Sequence, residues 1–131
     1  MPVFFYFKPE YNLVVCRQVG VVEDEEFLTS YRSLFEGDRF DPSMDLVVDL
    51  RRADSSKRSR EAIQSFARYL KEWMKRTDKR SRVAVIAPKD VSFGMARMYE
   101  AYAESAHRDF TVLREADAAL EWLGVPEDAL K

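Results

Sequence analysis

The chain has 131 residues, of which 47% are hydrophobic and 34% charged, with a formal net charge of -2, one cysteine and one histidine. A chain of this length buries roughly two-thirds of the surface its unfolded form exposes, so a single domain over residues 1–131 with one core suffices, and the composition is not that of a disordered segment. No apolar run reaches the ~20 residues that cross a bilayer, the opening Met1-Pro2-Val3-Phe4-Phe5 lacks the basic region of a secretory signal, and one Cys with one His makes neither an internal disulfide nor a four-ligand zinc site, so a cytoplasmic protein without a metal or cofactor is expected.

Val3 to Phe7 and Leu13 to Val19 are rich in β-branched and aromatic residues, and Lys8-Pro9-Glu10-Tyr11-Asn12 supplies the reversal between them. An antiparallel hairpin is predicted, with Cys16 in mid-strand as a small hydrophobe. Glu23-Asp24-Glu25-Glu26 opens a helix, because carboxylates in a first turn face unsatisfied amides and the positive end of the dipole. Phe27, Leu28, Tyr31, Leu34 and Phe35 share one stripe of it, and Gly37 suits a left-handed terminator.

Met44 to Leu50 reads as a buried strand, followed by a polar loop through Ser59. The next helix carries Ala62, Ile63, Phe66, Ala67, Tyr69, Leu70, Trp73 and Met74 on one side and Arg68, Lys71, Glu72, Lys75 and Arg76 on the other. Val83 to Ala87 is a strand, Pro88-Lys89-Asp90 a break, and a helix starts near Val91 or Ser92. His107 falls where that helix gives way to a loop. Phe110 to Leu113 is the last strand, and a final helix with Ala116, Ala119, Leu120, Trp122 and Leu123 stops at Gly124.

The charge is segregated: residues 51–82 carry a net +8, residues 1–50 a net -6 and residues 83–131 a net -4. Such a stripe attracts acidic partners, but the aromatic interleaving of single-strand binders is missing, so nucleic acid is not the expected partner and a solvated helix face is the simpler reading.

Strands separated by helices are joined by right-handed crossovers, so the strands after the hairpin pair in parallel. If consecutive strands are neighbours, the helices bank on one face of the sheet. Both faces nevertheless read as apolar: Val47 opposes Leu46 and Val48, Ile86 opposes Val85, and Phe4 and Tyr6 oppose Phe5 and Phe7. Something must cover the second face, and a symmetric partner, a rearranged first helix or an apolar ligand each meet that requirement.

Val47-Val48-Asp49-Leu50-Arg51, Val83-Ala84-Val85, Gly94-Met95-Ala96-Arg97-Met98-Tyr99-Glu100 and Ala118-Ala119-Leu120-Glu121-Trp122-Leu123-Gly124 resemble the SpoIIAA-like superfamily, and within it the small bacterial proteins described as STAS or CRAL-TRIO-like domains. The resemblance covers nearly the whole chain. It implies an α/β fold, a β-α superhelix whose mostly parallel sheet of about five strands has an antiparallel N-terminal edge strand and about four helices. STAS domains of anti-sigma factor antagonists are similar in having a strand that ends in Asp and a loop reaching Asp-Ser-Ser, here Asp49 and Asp54-Ser55-Ser56. In that family the serine is phosphorylated and the charge breaks a protein contact. Here a phosphate would meet a helix N-terminus and Arg51, Arg52, Lys57, Arg58 and Arg60, and would order the loop instead. The glycine and apolar residues that usually follow the serines are replaced by Lys57-Arg58-Ser59-Arg60, and a helix-capping loop is the simpler reading of Asp-Ser-Ser. CRAL-TRIO domains hold a lipid in a cavity closed by extra helices that this shorter chain lacks. A shallower site on the bare face, lined by Phe4, Tyr6 and Ile86, is the form such a site would take.

Ligands of parallel sheets bind where the loops at the carboxyl ends of the strands converge. The candidate ligand or partner surface is therefore Asp49, Arg51, Asp54, Ser55, Ser56, Ser92 and Arg97, with Ser55 and Ser56 as candidate phosphorylation sites. Arg97, one turn into its helix, is placed to hold a small anion, or else to pair with Glu100 or Glu104. Met95, Met98, Tyr99 and Tyr102 read as core packing. No catalytic set stands out and no glycine-rich phosphate loop is present. The expectation is a non-enzymatic regulatory module that binds a protein partner or itself through residues 54–60; a carrier of a small apolar, lipid-like or anionic ligand is the alternative.

Overall fold

The computed structural model describes residues 2–131. β1 (Val3–Lys8) and β2 (Leu13–Val21) form the hairpin, turned by a short 3-10 segment at Pro9–Tyr11. Helix α1 (Asp24–Glu36), β3 (Asp45–Asp54), α2 (Arg60–Met74), β4 (Arg82–Ile86), α3 (Asp90–Tyr102), β5 (Asp109–Leu113) and α4 (Ala116–Leu123) follow, with a last 3-10 turn at Glu127–Leu130. The sheet order is β1-β2-β3-β4-β5, antiparallel between β1 and β2 and parallel elsewhere.

Helices α1, α2 and α3 bank on one face, as right-handed crossovers between sequential neighbours require. Their stripes meet Val14, Cys16, Leu46, Leu50, Val83, Val85 and Val112 in the main core. At its centre the ring of Phe66 lies 5.1 Å from Phe27, 5.3 Å from Tyr31 and 5.4 Å from Tyr99. The basic side of α2 points to water, in accord with the solvated-face reading.

The second face is covered by none of the three candidates the pattern left open. Ala119, Leu120 and Leu123 of α4, with Ala129 of the last turn, pack on Leu13, Val15, Val47, Ala84 and Ile86. Strand β5 closes the series, so the segment after it owes nothing to a crossover and folds back over the opposite face. Two arginines stitch it down: Arg82 donates to the Leu123 carbonyl at 3.3 Å and Arg17 to the Leu130 carbonyl at 2.7 Å.

Of the two glycine terminators, one is corrected and one holds. Gly37 is extended rather than left-handed; a Cβ there would stand 2.9 Å from the Ser33 carbonyl, so close backbone approach is what a side chain would disturb. Gly124, with φ of 72°, is the left-handed terminator of α4, its amide returning to the Glu121 and Leu120 carbonyls.

Strands β2 and β3 also run on past the predicted ends. After Arg17↔Asp49 the next pair is Val19↔Arg52, so Leu50 and Arg51 oppose the single residue Gln18 in a β-bulge. Arg51, Arg52 and Asp54 are therefore strand residues, and the loop shrinks to Ser55–Ser59.

Candidate functional site

The carboxyl ends of β3 and β4 meet at one rim. Ser55 Oγ lies 2.8 Å from Ser92 Oγ, and Lys89 donates to the Ala53 carbonyl at 3.0 Å, so the segments after β3 and β4 converge as the winding predicts. Asp54 takes the Ser56 amide at 2.9 Å, and the Ser55 carbonyl takes the Arg58 amide at 3.0 Å. Ser59, not the Asp-Ser-Ser string, caps α2, accepting the Ala62 amide at 3.1 Å. Asp24, in the first turn of α1, clamps the segment from the far side: it accepts the Ser59 amide and hydroxyl at 3.2 and 2.7 Å and Arg58 Nη1 at 2.8 Å. Burial alone would raise the Asp24 carboxyl, but these donors outweigh it and hold the acid below its ordinary range.

Beneath this rim lies a cavity of about 90 Å³ between the sheet and α1–α3. The register Leu46↔Val83↔Phe110 marks its floor and Leu50, Ser55, Arg58 and Ser92 its upper end. Val48, at the middle of the central strand, stays partly accessible because it faces this space. At the floor Tyr99 Oη lies 2.6 Å from His107 Nε2, while His107 Nδ1 is buried without a partner. Burial, helped by the nearby Arg80 cation, pulls this imidazole down to about 4 and keeps it neutral near pH 7. Cys16 is fully buried in the same core and burial pushes its thiol up, which makes it inert as a nucleophile, as the structural reading expected.

The seven candidate residues do not form one site. Ser55 and Ser92 line the cavity; Asp54 and Ser56 are exposed at its rim. Arg97 follows Ser92 by five residues, about 140° around the helix, so it points to solvent and pairs with Glu100 at 3.4 Å. Asp49 is buried on the opposite face of the sheet, where it accepts Arg17 Nε at 3.0 Å, Arg51 Nε at 2.9 Å and Arg51 Nη2 at 2.9 Å. The bulge at Leu50 and Arg51 resets the strand alternation, which leaves Asp49 on one face and puts Ala53 and Ser55 on the other. The bare-face site fails as well: Ile86 is fully buried under α4, and only Phe4 and Tyr6 remain exposed on edge strand β1.

Asp49 is thus a structural ion. Its burial works to raise the carboxyl, but donors from Arg51 and Arg17 more than offset this and lower it. An acid depressed in the folded state stabilises above its unfolded value, about 4, and that contribution is lost as pH falls through the folded value. Asp49→Asn is expected to cost about 2 kcal/mol at pH 7, less than a fully buried pair because both arginines are partly exposed, and urea titrations should show the gap to wild type narrowing steadily as pH falls below about 4. A gap that stays constant from pH 7 down through the acid range refutes this assignment.

Arg58 is the residue the sequence reading passed over. It was one cation in a basic run, yet its side chain is 6% exposed, with its guanidinium 4.0 Å above the Phe27 ring. No spacing rule marks it; only the acid at the start of α1, a charge partner 34 positions away, signals that one of these cations turns inward.

The winding, with α1–α3 on one face of the sheet and α4 on the other, is that of a SpoIIAA-like α/β fold. A solved structure from Shewanella loihica PV-4, an uncharacterized protein of the DUF3478 family with a SpoIIAA-like fold, matches with a TM-score of 0.54 over 92% of this chain and 91% of that one, at 18% sequence identity. No protein-family model matches the sequence, and no curated protein matches it either.

Proposed function

We propose that the chain is a non-enzymatic regulatory module whose recognition surface is the segment from Asp54 to Arg60. The observation that supports this reading is the setting of Ser56. It is exposed at the tip of a segment pinned at both ends, by Asp54 before it and Asp24 after it, with Lys57 and Arg60 exposed beside it. A pinned loop loses little entropy on binding, and its cations suit an acidic partner surface. The chain's one imidazole bonds Tyr99 at the cavity floor, away from the paired serines of the rim, so no imidazole attends either hydroxyl.

Affinity capture with the full chain, comparing wild type with Ser56→Asp and with the pair Lys57→Glu and Arg60→Glu, tests the reading. Charge reversal is expected to deplete the captured partner severalfold, and light scattering on the same samples tells whether that partner is a second copy. A captured set that ignores all three changes overturns it.

A further inference from the structure

We propose that the cavity beneath α1–α3 binds a short amphipathic carboxylate, its head at Arg58, Ser55 and Ser92 and its hydrocarbon body against Val48 and Val85. Ser55 and Arg58 turn inward from the same segment whose exposed Ser56, Lys57 and Arg60 carry the proposed recognition surface, and the two tests alter different residues, so the failure of one is distinguishable from the failure of the other.

The head group follows from unspent hydrogen-bonding capacity. Arg58 is buried, lines the cavity, and gives one of its five N–H donors to Asp24, at 2.8 Å; among the described residues the others have no protein acceptor. A guanidinium on a largely buried side chain, with a free edge, is the group that holds a carboxylate in two parallel bonds, while Asp24 occupies its other side. Ser92 is 1% exposed and its hydroxyl meets only that of Ser55. Two hydroxyls sharing one bond use one proton between them, which leaves the second free to donate to an anion at the rim. Lys89, held on the Ala53 carbonyl at 3.0 Å, adds a positive charge at the same end.

The body follows from shape. Below the rim the walls are mostly apolar, with Leu46, Val48, Phe66, Val83 and Val85 among them, and the polar groups there, Gln18, Tyr31, Tyr99 and His107, are neutral. At about 90 Å³ the space is smaller than the ~150 Å³ apolar cavity that accepts benzene, which limits the body to about four carbons. A long acyl chain does not fit, and a bare anion leaves the apolar walls unfilled.

Titration of the isotope-labelled full chain with 3-methylbutanoate, followed by NMR, tests the site. Saturable shifts of the Val48 and Val85 methyls and of the Arg58 side-chain N–H are expected, with a dissociation constant on the order of 1 mM. The alcohol 3-methylbutanol should bind at least ~10-fold more weakly, one charge-assisted bidentate contact being absent. Arg58→Gln should erase the difference between acid and alcohol, and Ser92→Ala should weaken the acid severalfold. Because Arg58→Gln also removes a partner of Asp24, the wild-type comparison decides the matter even if that variant does not fold. Shifts that fail to saturate or lie outside the cavity, equal binding of the alcohol, or tighter binding of hexadecanoate each overturn the proposal.

Discussion

Phe66→Ala is expected to destabilise the protein by roughly 3–5 kcal/mol and to lower the melting temperature by more than ~10 °C. Phe66 is the hub of the main core, its ring edge-on to Phe27, stacked with Tyr99 and in contact with Tyr31 and Phe35. Its removal forfeits the transfer free energy of a buried ring, the aromatic pair geometry and the contacts of four neighbours, and it enlarges a cavity that is already present. The surface ion pairs offer no compensation: Lys75 and Glu72 are both about 70% exposed, and such pairs contribute a few tenths of a kcal/mol. Urea denaturation checks the value through the transition midpoint. A loss below about 1 kcal/mol would mean that the helix layer is not packed on this ring. Leu70→Ala, one turn further along α2 and fully buried, serves as a second measure of the same layer.

Leu120→Asp is expected to cost roughly 4 kcal/mol or more, because it places an unpaired charge in the second core. The variant should lose its cooperative transition, bind an apolar dye and self-associate in light scattering, since undocking α4 exposes Leu13, Val15, Val47, Ala84 and Ile86 together. Leu120→Ala should fall between this variant and wild type, at about 2–4 kcal/mol. The contrast separates loss of packing from burial of charge. Wild-type stability in Leu120→Asp would show α4 to be undocked already, and the second face would then need another cover.

The elements were legible wherever local chemistry and hydrophobic period agreed. The acidic first turn of α1, the wide stripe of α2 and the Gly124 stop of α4 each state a boundary through capping and amphipathicity, and each falls within a residue or two of its place. The extension of β2 and β3 was not legible, because Arg51, Arg52 and Asp54 are polar and read as loop. They pair only because the antiparallel hairpin supplies β2 as a long neighbour. The candidate site was legible as a rim and not as a set of contacts. Asp49 and the serines lie close in sequence, and whether they share a face depends on strand alternation and on any bulge between them.

By itself the chain determined its class, the parallel pairing after the hairpin and, for strands that sit beside their sequence neighbours, the convergence of residues 51–59 and 88–92 at one end, because right-handed crossovers then wind every β-α unit the same way. Only the tertiary structure decided which side each group serves. Beyond β5 no crossover constrains the path, so burial of Leu120 and Leu123 against an uncovered face sent α4 across the sheet. The bulge opposite Gln18 did the same for the rim: one extra residue puts Leu50 and Ala53 on the same side, ahead of Ser55 and Arg58 over the cavity, and leaves Asp49 paired behind the sheet.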